Sequence, residues 1–263
     1  MILAEADTAR PGEIKIMTKE LRNTYEESQR AAAYNELELG GTYDLVFRNL
    51  PGLLRQYVSG KRALDFGSGT GRSTRFLQRL GFVTTGVDIS RQMVSFARQH
   101  DPGGDYRVID DGNFRALPSG GFDLVQSAFT FDNISGFDRR VRLFRGLSKL
   151  LANNGILVNI VSTPEIYTHE WVTFSTRDFP DNRIAQRGDV VKIVTTEYSD
   201  ARPVEDVFWP HEDYLHLFDN AGLEVVRVER PLAGGNEGIV WRSETTIAPW
   251  AIYLLRQFVN KDN

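Results

Sequence analysis

The 263-residue chain contains no cysteine. Disulfides, thiolate metal ligands and cysteine nucleophiles are therefore excluded, and no metal is assigned. Histidine is scarce, with four in all, so imidazole bases are few. Long apolar runs are missing too. The longest uncharged apolar stretch, residues 247–255, is far short of the ~20 residues that cross a bilayer. The N-terminal residues Glu5, Asp7, Arg10 and Glu13 surround no apolar centre and do not read as a secretory signal. Basic charge is not in excess: 31 Lys and Arg stand against 35 Asp and Glu, a net charge of −4. A nucleic-acid binder needs the opposite balance. The expectation is a cytoplasmic protein that meets neither membrane nor nucleic acid and takes a small-molecule partner, as monomer or homodimer.

What is present is a rhythm. From Arg62 onward short apolar runs alternate with helical stretches. Residues 63–66, 82–87, 105–109, 122–128 and 156–161 read as strands. Residues 72–80, 90–99 (with Ser90 as N-cap) and 138–151 read as helices, the last stopped by Asn153-Asn154-Gly155. Such alternation predicts a parallel sheet covered by helices on both faces. Upstream, residues 1–17 read as a loose arm and 21–33 as a helix. Residues 43–57 have helical apolar spacing interrupted by Pro51. After Pro164 the alternation stops. Residues 165–181 read as a loop or short helix, 190–197 and 204–209 as an antiparallel hairpin, 212–221 as a helix ended by Gly222, and 223–228 and 251–259 as final strands.

The chemistry-bearing signal is Leu64-Asp65-Phe66-Gly67-Ser68-Gly69-Thr70-Gly71-Arg72, set between a strand and a helix. Glycines permit a sharp turn and close approach of a ligand to the backbone. The helix start adds unpaired N–H groups and a positive dipole end. A dinucleotide fingerprint needs a glycine where Arg72 stands. Asp65 would repel a pyrophosphate and suits an ammonium group. Both features speak against a nicotinamide-dependent oxidoreductase, the rival enzyme reading. Asp88 ends the next strand, 21 positions after Gly67, the spacing at which a carboxylate accepts both hydroxyls of a ribose; capping of the following helix is the alternative. After the third strand, Asp110 and Asp111 compete as acceptor for an exocyclic amine, with the Gly112 backbone beside them. After the fourth, Phe131, Asp132 and Asn133 either face a reacting centre or pack as an ordinary loop.

Together these segments resemble the class I S-adenosylmethionine-dependent methyltransferases of small-molecule type. The resemblance covers residues 61–162 closely, through Asp65-x-Gly67-x-Gly69-x-Gly71, Val87-Asp88, Asp111-Gly112, Leu117-Pro118 and Phe122-Asp123-Leu124-Val125 in family order. Residues 214–223 resemble the family's helix-to-strand-six junction. The implied fold is an α/β, Rossmann-like, seven-stranded, mostly parallel sheet with helices on both faces, an N-terminal helical lid and a β-hairpin cap. The implied organisation is an arm and lid over 1–60 and a methyltransferase domain over 61–263, with a substrate-cap insert at about 165–210.

The resemblance implies S-adenosyl-L-methionine as cofactor. Gly67, Ser68 and Gly69 would contact its methionine part, Asp65 its ammonium, and Asp88 its ribose diol. Ile89 and Met93 would flank the adenine, and Asp111 and Gly112 would read its edge. Ser127 and Ala128 would lie near the methionyl tail. Tyr25, Tyr34, Tyr43 and Arg48 compete for the cofactor carboxylate. The family's usual His pair after strand four is replaced by Asp132-Asn133. A sulfonium methyl is already activated, so transfer needs alignment of nucleophile and methyl ~3–3.5 Å apart and a dehydrated site. The expected acceptor is an N or O atom of a small, planar or aromatic molecule, walled by Phe131, Asn133, Trp171 and Trp209. His169 and His211 are the base candidates, with Glu170 and Asp213 behind them. The non-catalytic alternative is an S-adenosylmethionine-binding protein, and a hairpin that only shields a sheet edge or forms a dimer contact explains the same aromatic residues.

Overall fold

The computed structural model describes residues 40–196 and 202–258. Its centre is a seven-stranded sheet in the order β3-β2-β1-β4-β5-β10-β9. The strands are β1 (Arg62–Phe66), β2 (Val83–Asp88), β3 (Asp105–Val108), β4 (Phe122–Ala128), β5 (Leu151–Ser162), β9 (Leu223–Glu229) and β10 (Trp250–Gln257). β1, β2, β3, β4 and β5 pair in parallel. β10 is antiparallel to both β5 and β9. The expected doubly covered sheet with one reversed strand is therefore present.

Side-chain alternation sorts the strand residues onto two apolar layers. Leu64, Phe66, Val125, Leu157 and Val161 face helices α4 (Phe137–Ser148) and α5 (His211–Asn220), where Phe144, Leu147 and Phe218 complete the core. Ala63, Leu124, Val158 and Ile160 face the other way, against α1 (Asp44–Tyr57) and α2 (Arg72–Arg79). Pro51 sits inside α1 rather than breaking it. A proline in mid-helix costs ~3 kcal/mol, but Leu45, Val46, Leu50 and Leu54 are buried on one face, and each is worth about 1.5–3 kcal/mol. α3 (Arg91–His100) starts as expected, with Ser90 Oγ accepting from the Met93 amide at 3.2 Å.

One boundary differs from the pattern reading. The helix expected over 138–151 ends at Ser148, and Asn153-Asn154-Gly155 lie within β5. Asn154 takes a left-handed φ of 63°, and the β4–β5 register shifts between Phe122 and Leu124. The turn-forming residues make an irregularity in a long strand instead of a helix stop.

Between β5 and α5 the chain leaves the sheet. It forms two short 3₁₀ turns, Pro164–Tyr167 and Pro180–Ile184, and a small antiparallel sheet of β6 (Phe174–Ser175), β7 (Val190–Thr195) and β8 (Val204–Val207). The expected hairpin is β7–β8. Three distant segments meet beside it at Thr42. Its amide donates to Thr173 Oγ1 at 2.9 Å, its hydroxyl to Glu244 Oε1 at 2.7 Å, and its carbonyl accepts from Trp250 Nε1 at 2.8 Å. No helix among the described residues is long and apolar enough to cross a membrane.

Candidate active site

Neighbouring β1 and β4 mark the point where strand order reverses, and ligands of open α/β sheets bind above the carboxyl ends of strands at such a point. A crevice opens there. It is lined by Gly67 and Gly69 after β1, Asp88 at the end of β2 and Ile89 just after it, Met93 on α3, Ile109 and Asp111 after β3, and Ala128 at the end of β4. Gly67 is obligatory by two measures: its φ is +73°, and a Cβ would lie 2.1 Å from Thr130 Oγ1. Thr130 in turn donates to Phe66 O at 3.1 Å, tying the segment after β4 to the end of β1.

Asp88 is fixed by two amides. Gly69 N donates to Oδ2 at 2.9 Å and Ser90 N to Oδ1 at 2.8 Å. Burial pushes its pKa up, and these amide bonds pull it back. A carboxylate oxygen has more than one lone pair, so a further pair of hydroxyls can be accepted. Asp88 thus supports the helix entry and lines the crevice together. Ile89 is 42% exposed and Met93 is buried, a flat apolar slot beside the carboxylate. Asp111 stands at the rim in an ion pair with Arg139 at 2.9 Å. Gly112 does not line the crevice.

Asp65 lies beneath the glycine loop, fully buried. Its Oδ2 accepts from Ser73 Oγ and Thr74 Oγ1, both at 2.6 Å, which ties the first turn of α2 to β1. Burial raises its pKa, and the two hydroxyls lower it. Asp65 Oδ1, Ser68 Oγ, Thr70 Oγ1 and Ser127 Oγ are buried with no hydrogen-bond partner among the described residues. Unmet polar atoms clustered under a glycine loop fit a polar ligand tail. A small annex beside the loop is lined by Ser68, Arg72, Ser73, Phe47, Tyr43 and Phe129, among others. Tyr43 borders both annex and crevice, with the Arg72 guanidinium 5.8 Å from its ring centre. Tyr25 and Tyr34, like the helix expected over 21–33, lie outside the described residues. Arg48 is engaged elsewhere, in a 2.7 Å ion pair with Glu237.

The far half of the crevice is aromatic and acidic. Phe129, Phe174 and Trp250 line it with Tyr43, and Ile166, Ile193 and Val204 fill between them. Tyr43 stacks on Trp250 with ring centres 5.4 Å apart. Asn133, Asp132, Ser162 and Asp206 supply polar groups. Asp132 accepts from Ser162 N at 3.1 Å and Ser162 Oγ at 2.9 Å. Burial, reinforced by the charge of Asp206, pushes its pKa up to about 8. Asp206 accepts from Tyr167 Oη at 3.1 Å and Asn133 Nδ2 at 3.3 Å.

Several expected wall and base residues are placed elsewhere. Phe131 is fully buried and stacks on Phe144 at 4.0 Å, filling the core under α4. Trp171 is fully buried and its Nε1 donates to Ile166 O at 2.8 Å. Trp209 is buried beneath the Arg140 guanidinium, 3.9 Å from its ring centre. His169 Nδ1 lies 3.0 Å from both Thr168 Oγ1 and Glu165 O, closing its own turn. His211 starts α5, with Nδ1 2.6 Å from Tyr253 Oη, and burial lowers its pKa. None of these five lines the crevice. Glu170 and Asp213 are likewise committed, to Thr176 N at 2.8 Å and Arg187 at 2.9 Å. Asn133 does line it, as expected. Pattern reading missed Phe129, Asp206 and Trp250. Trp250 carried a usable signal, since the strand it opens closes the sheet beside β5, where Trp250 faces Ser162.

Comparison with known proteins agrees with this geometry. Residues 64–159 match the family model described as a methyltransferase domain. The chain is similar to the N-demethylindolmycin N-methyltransferase of Streptomyces griseus, 27% identical over 215 residues, which are 81% of this chain and 88% of that one. It is 30% identical over 120 residues to a demethylmenaquinone methyltransferase of Tropheryma whipplei, covering 45% of this chain and 50% of the relative. In fold it resembles the CcbJ methyltransferase of Streptomyces caelestis (TM-score 0.62, 18% identity, 90% of this chain and 99% of that one). A similar likeness holds to an S-adenosylmethionine-dependent methyltransferase of Clostridium acetobutylicum (TM-score 0.60, 17% identity, 89% and 96%). Residues 64–159 therefore carry a methyltransferase domain. The likenesses in fold are to S-adenosylmethionine-dependent methyltransferases.

Proposed function

We propose that the protein moves the cofactor's methyl group to a nitrogen or oxygen atom of a small molecule with a flat, apolar part. One observation carries this reading: a single crevice runs from the Asp88 carboxylate across the switch point to an aromatic wall of Tyr43, Phe129, Phe174 and Trp250. Flat apolar walls with few polar groups suit a planar ligand. The Streptomyces griseus relative, matched over most of both chains, is named for methylation of a nitrogen, which supports the nitrogen alternative.

In this reading Asp88 clasps the ribose diol, Ile89 and Met93 hold the adenine, and Asp111 reaches its edge. Gly67, Ser68 and Gly69 receive the methionyl part, with Asp65 Oδ1 toward its ammonium and Arg72 and Tyr43 toward its carboxylate. The bound cofactor supplies an electrophilic methyl group. The protein's own task is to align the acceptor and exclude water. His169 and His211 have no part in it, because neither reaches the crevice. Calorimetric titration with S-adenosylhomocysteine tests the reading. Saturable binding that is weakened by Asp88→Ala is expected; absence of binding by the wild-type protein would overturn it.

A further inference from the structure

We propose that the ring of Phe129 is the surface on which a flat acceptor stacks, and that the left-handed backbone at this position is kept to hold that ring between the two halves of the crevice. This deepens the reading above and rests on it.

Phe129 follows β4 with φ at 62° and ψ at 2°. Among the described residues, only Asn154 shares a positive φ without being glycine, and asparagine tolerates that region where a bulky side chain does not. The conformation is fixed from both sides. Phe129 N donates to Ile160 O at 2.8 Å, continuing the β4–β5 ladder. One residue on, Thr130 Oγ1 donates to Phe66 O at 3.1 Å. The chain must therefore turn sharply at residue 129. Glycine makes such a turn without strain, as Gly67 does in the loop nearby at a φ of +73°. A phenylalanine in that role strains the backbone, and strain of this kind persists where the side chain has a task.

The surroundings of the ring define the task. Its centre lies 5.3 Å from that of Tyr43 and 4.7 Å from that of Trp250, and these two rings back it. Tyr43, Phe174 and Trp250 are buried, whereas Phe129 is half-buried. Phe129 lines the crevice and also the annex beside Ser68 and Arg72. A ring needed only for packing would be closed over as its three neighbours are. Tyr43 meets both spaces as well, but its ring is wedged among Phe129, Phe174 and Trp250 at 5.3 to 5.4 Å. Of the four rings, Phe129 is thus the one left open at the junction of the glycine-loop side and the acceptor side.

A supported, half-open ring selects by shape. A flat aromatic molecule gains offset or edge-to-face contact with it, worth about two- to tenfold in affinity beyond the area covered. A puckered, saturated molecule of the same size lacks that contact while being at least as apolar. Preference for the flat partner is therefore a signature that hydrophobicity alone does not produce.

Matched probes test this without knowledge of the natural acceptor. Protein saturated with S-adenosylhomocysteine is titrated calorimetrically with 2-naphthol and with decahydro-2-naphthol, which carry the same hydroxyl on a flat and a puckered frame. Wild type is expected to bind 2-naphthol at least roughly threefold tighter. Phe129→Leu keeps apolar bulk and should erase that ratio, whereas Phe129→Tyr keeps a ring and should retain it, circular dichroism confirming that each variant is folded. A second readout, free of ligand, addresses the backbone. Glycine ordinarily destabilises relative to alanine, but Phe129→Gly should resist denaturant at least as well as Phe129→Ala. Equal binding of the two probes, no binding of either, a ratio that survives Phe129→Leu or is lost in Phe129→Tyr, or a glycine variant less stable than the alanine variant would overturn the proposal. Failure of S-adenosylhomocysteine itself to bind would instead overturn the reading on which it rests.

Discussion

The backbone amide of Gly69 donates to Asp88 Oδ2 at 2.9 Å, so the glycine loop after β1 and the carboxylate after β2 are one mechanical unit. Asp88→Ala removes that link, the bond from Ser90 N, and the carboxylate proposed to accept a ribose diol. Affinity for S-adenosylhomocysteine should fall at least roughly tenfold, since a hydrogen bond to a charged group is worth about 1.5–3 kcal/mol. Asp88→Asn, which keeps the shape, should lose less. Isothermal titration of both variants checks the order.

Asp65 should matter first for stability. Its Oδ2 satisfies the hydroxyls of Ser73 and Thr74 inside a fully buried setting. Asp65→Ala leaves two buried donors unpaired at about 1–3 kcal/mol each. Chemical denaturation should show a clear loss of stability, with Ser73→Ala and Thr74→Ala each showing part of it.

The Asp132 carboxyl gives the protein a pH signature. Its folded pKa of about 8 stands above the unfolded value near 3.8, so between those values the native state holds a proton that the unfolded chain has released. Stability therefore falls as pH rises across that window. Asp132→Asn cannot release that proton. Thermal melts of the ligand-free protein between pH 5 and pH 8 should show a shallower decline for the variant than for wild type.

Phe131 and Trp171 separate core from wall. Both are fully buried and neither borders the crevice. Phe131→Ala should destabilise by about 3–5 kcal/mol and leave S-adenosylhomocysteine affinity nearly unchanged in whatever fraction remains folded. Trp250→Ala should also destabilise, since Trp250 is buried, but should in addition weaken acceptor probes more than it weakens the cofactor product. Denaturation and titration on the same preparations distinguish the two patterns.

The Asp88 end of the crevice was legible in the sequence because short-range geometry writes it. A strand, a glycine turn and a helix start must place Gly67, Gly69 and Asp88 at one sheet end, whatever the rest of the chain does. The acceptor half was not. Phe131, Trp171 and Trp209 are aromatic residues in irregular segments, where no period of 2.0 or 3.6 says which side turns inward. Long-range packing decided that all three turn away from the crevice, while Phe174 and Trp250, buried as well, border it. His169 and His211 drew notice through scarcity; His169 closes its own turn and His211 meets Tyr253 of β10. Asp132 was noticed as one of three residues after β4 that either face a reacting centre or pack as a loop, and Asp206 lay unremarked inside a strand. Their pairing spans two layers of the fold and has no sequence spacing to betray it.

Thr42 works as a keystone. Its amide, hydroxyl and carbonyl clamp residues 173, 244 and 250, and its neighbour Tyr43 forms part of the aromatic wall. The aromatic wall can therefore shift by small adjustments around one buried threonine, while the Asp88 end of the crevice, bolted down by separate amides, keeps its shape.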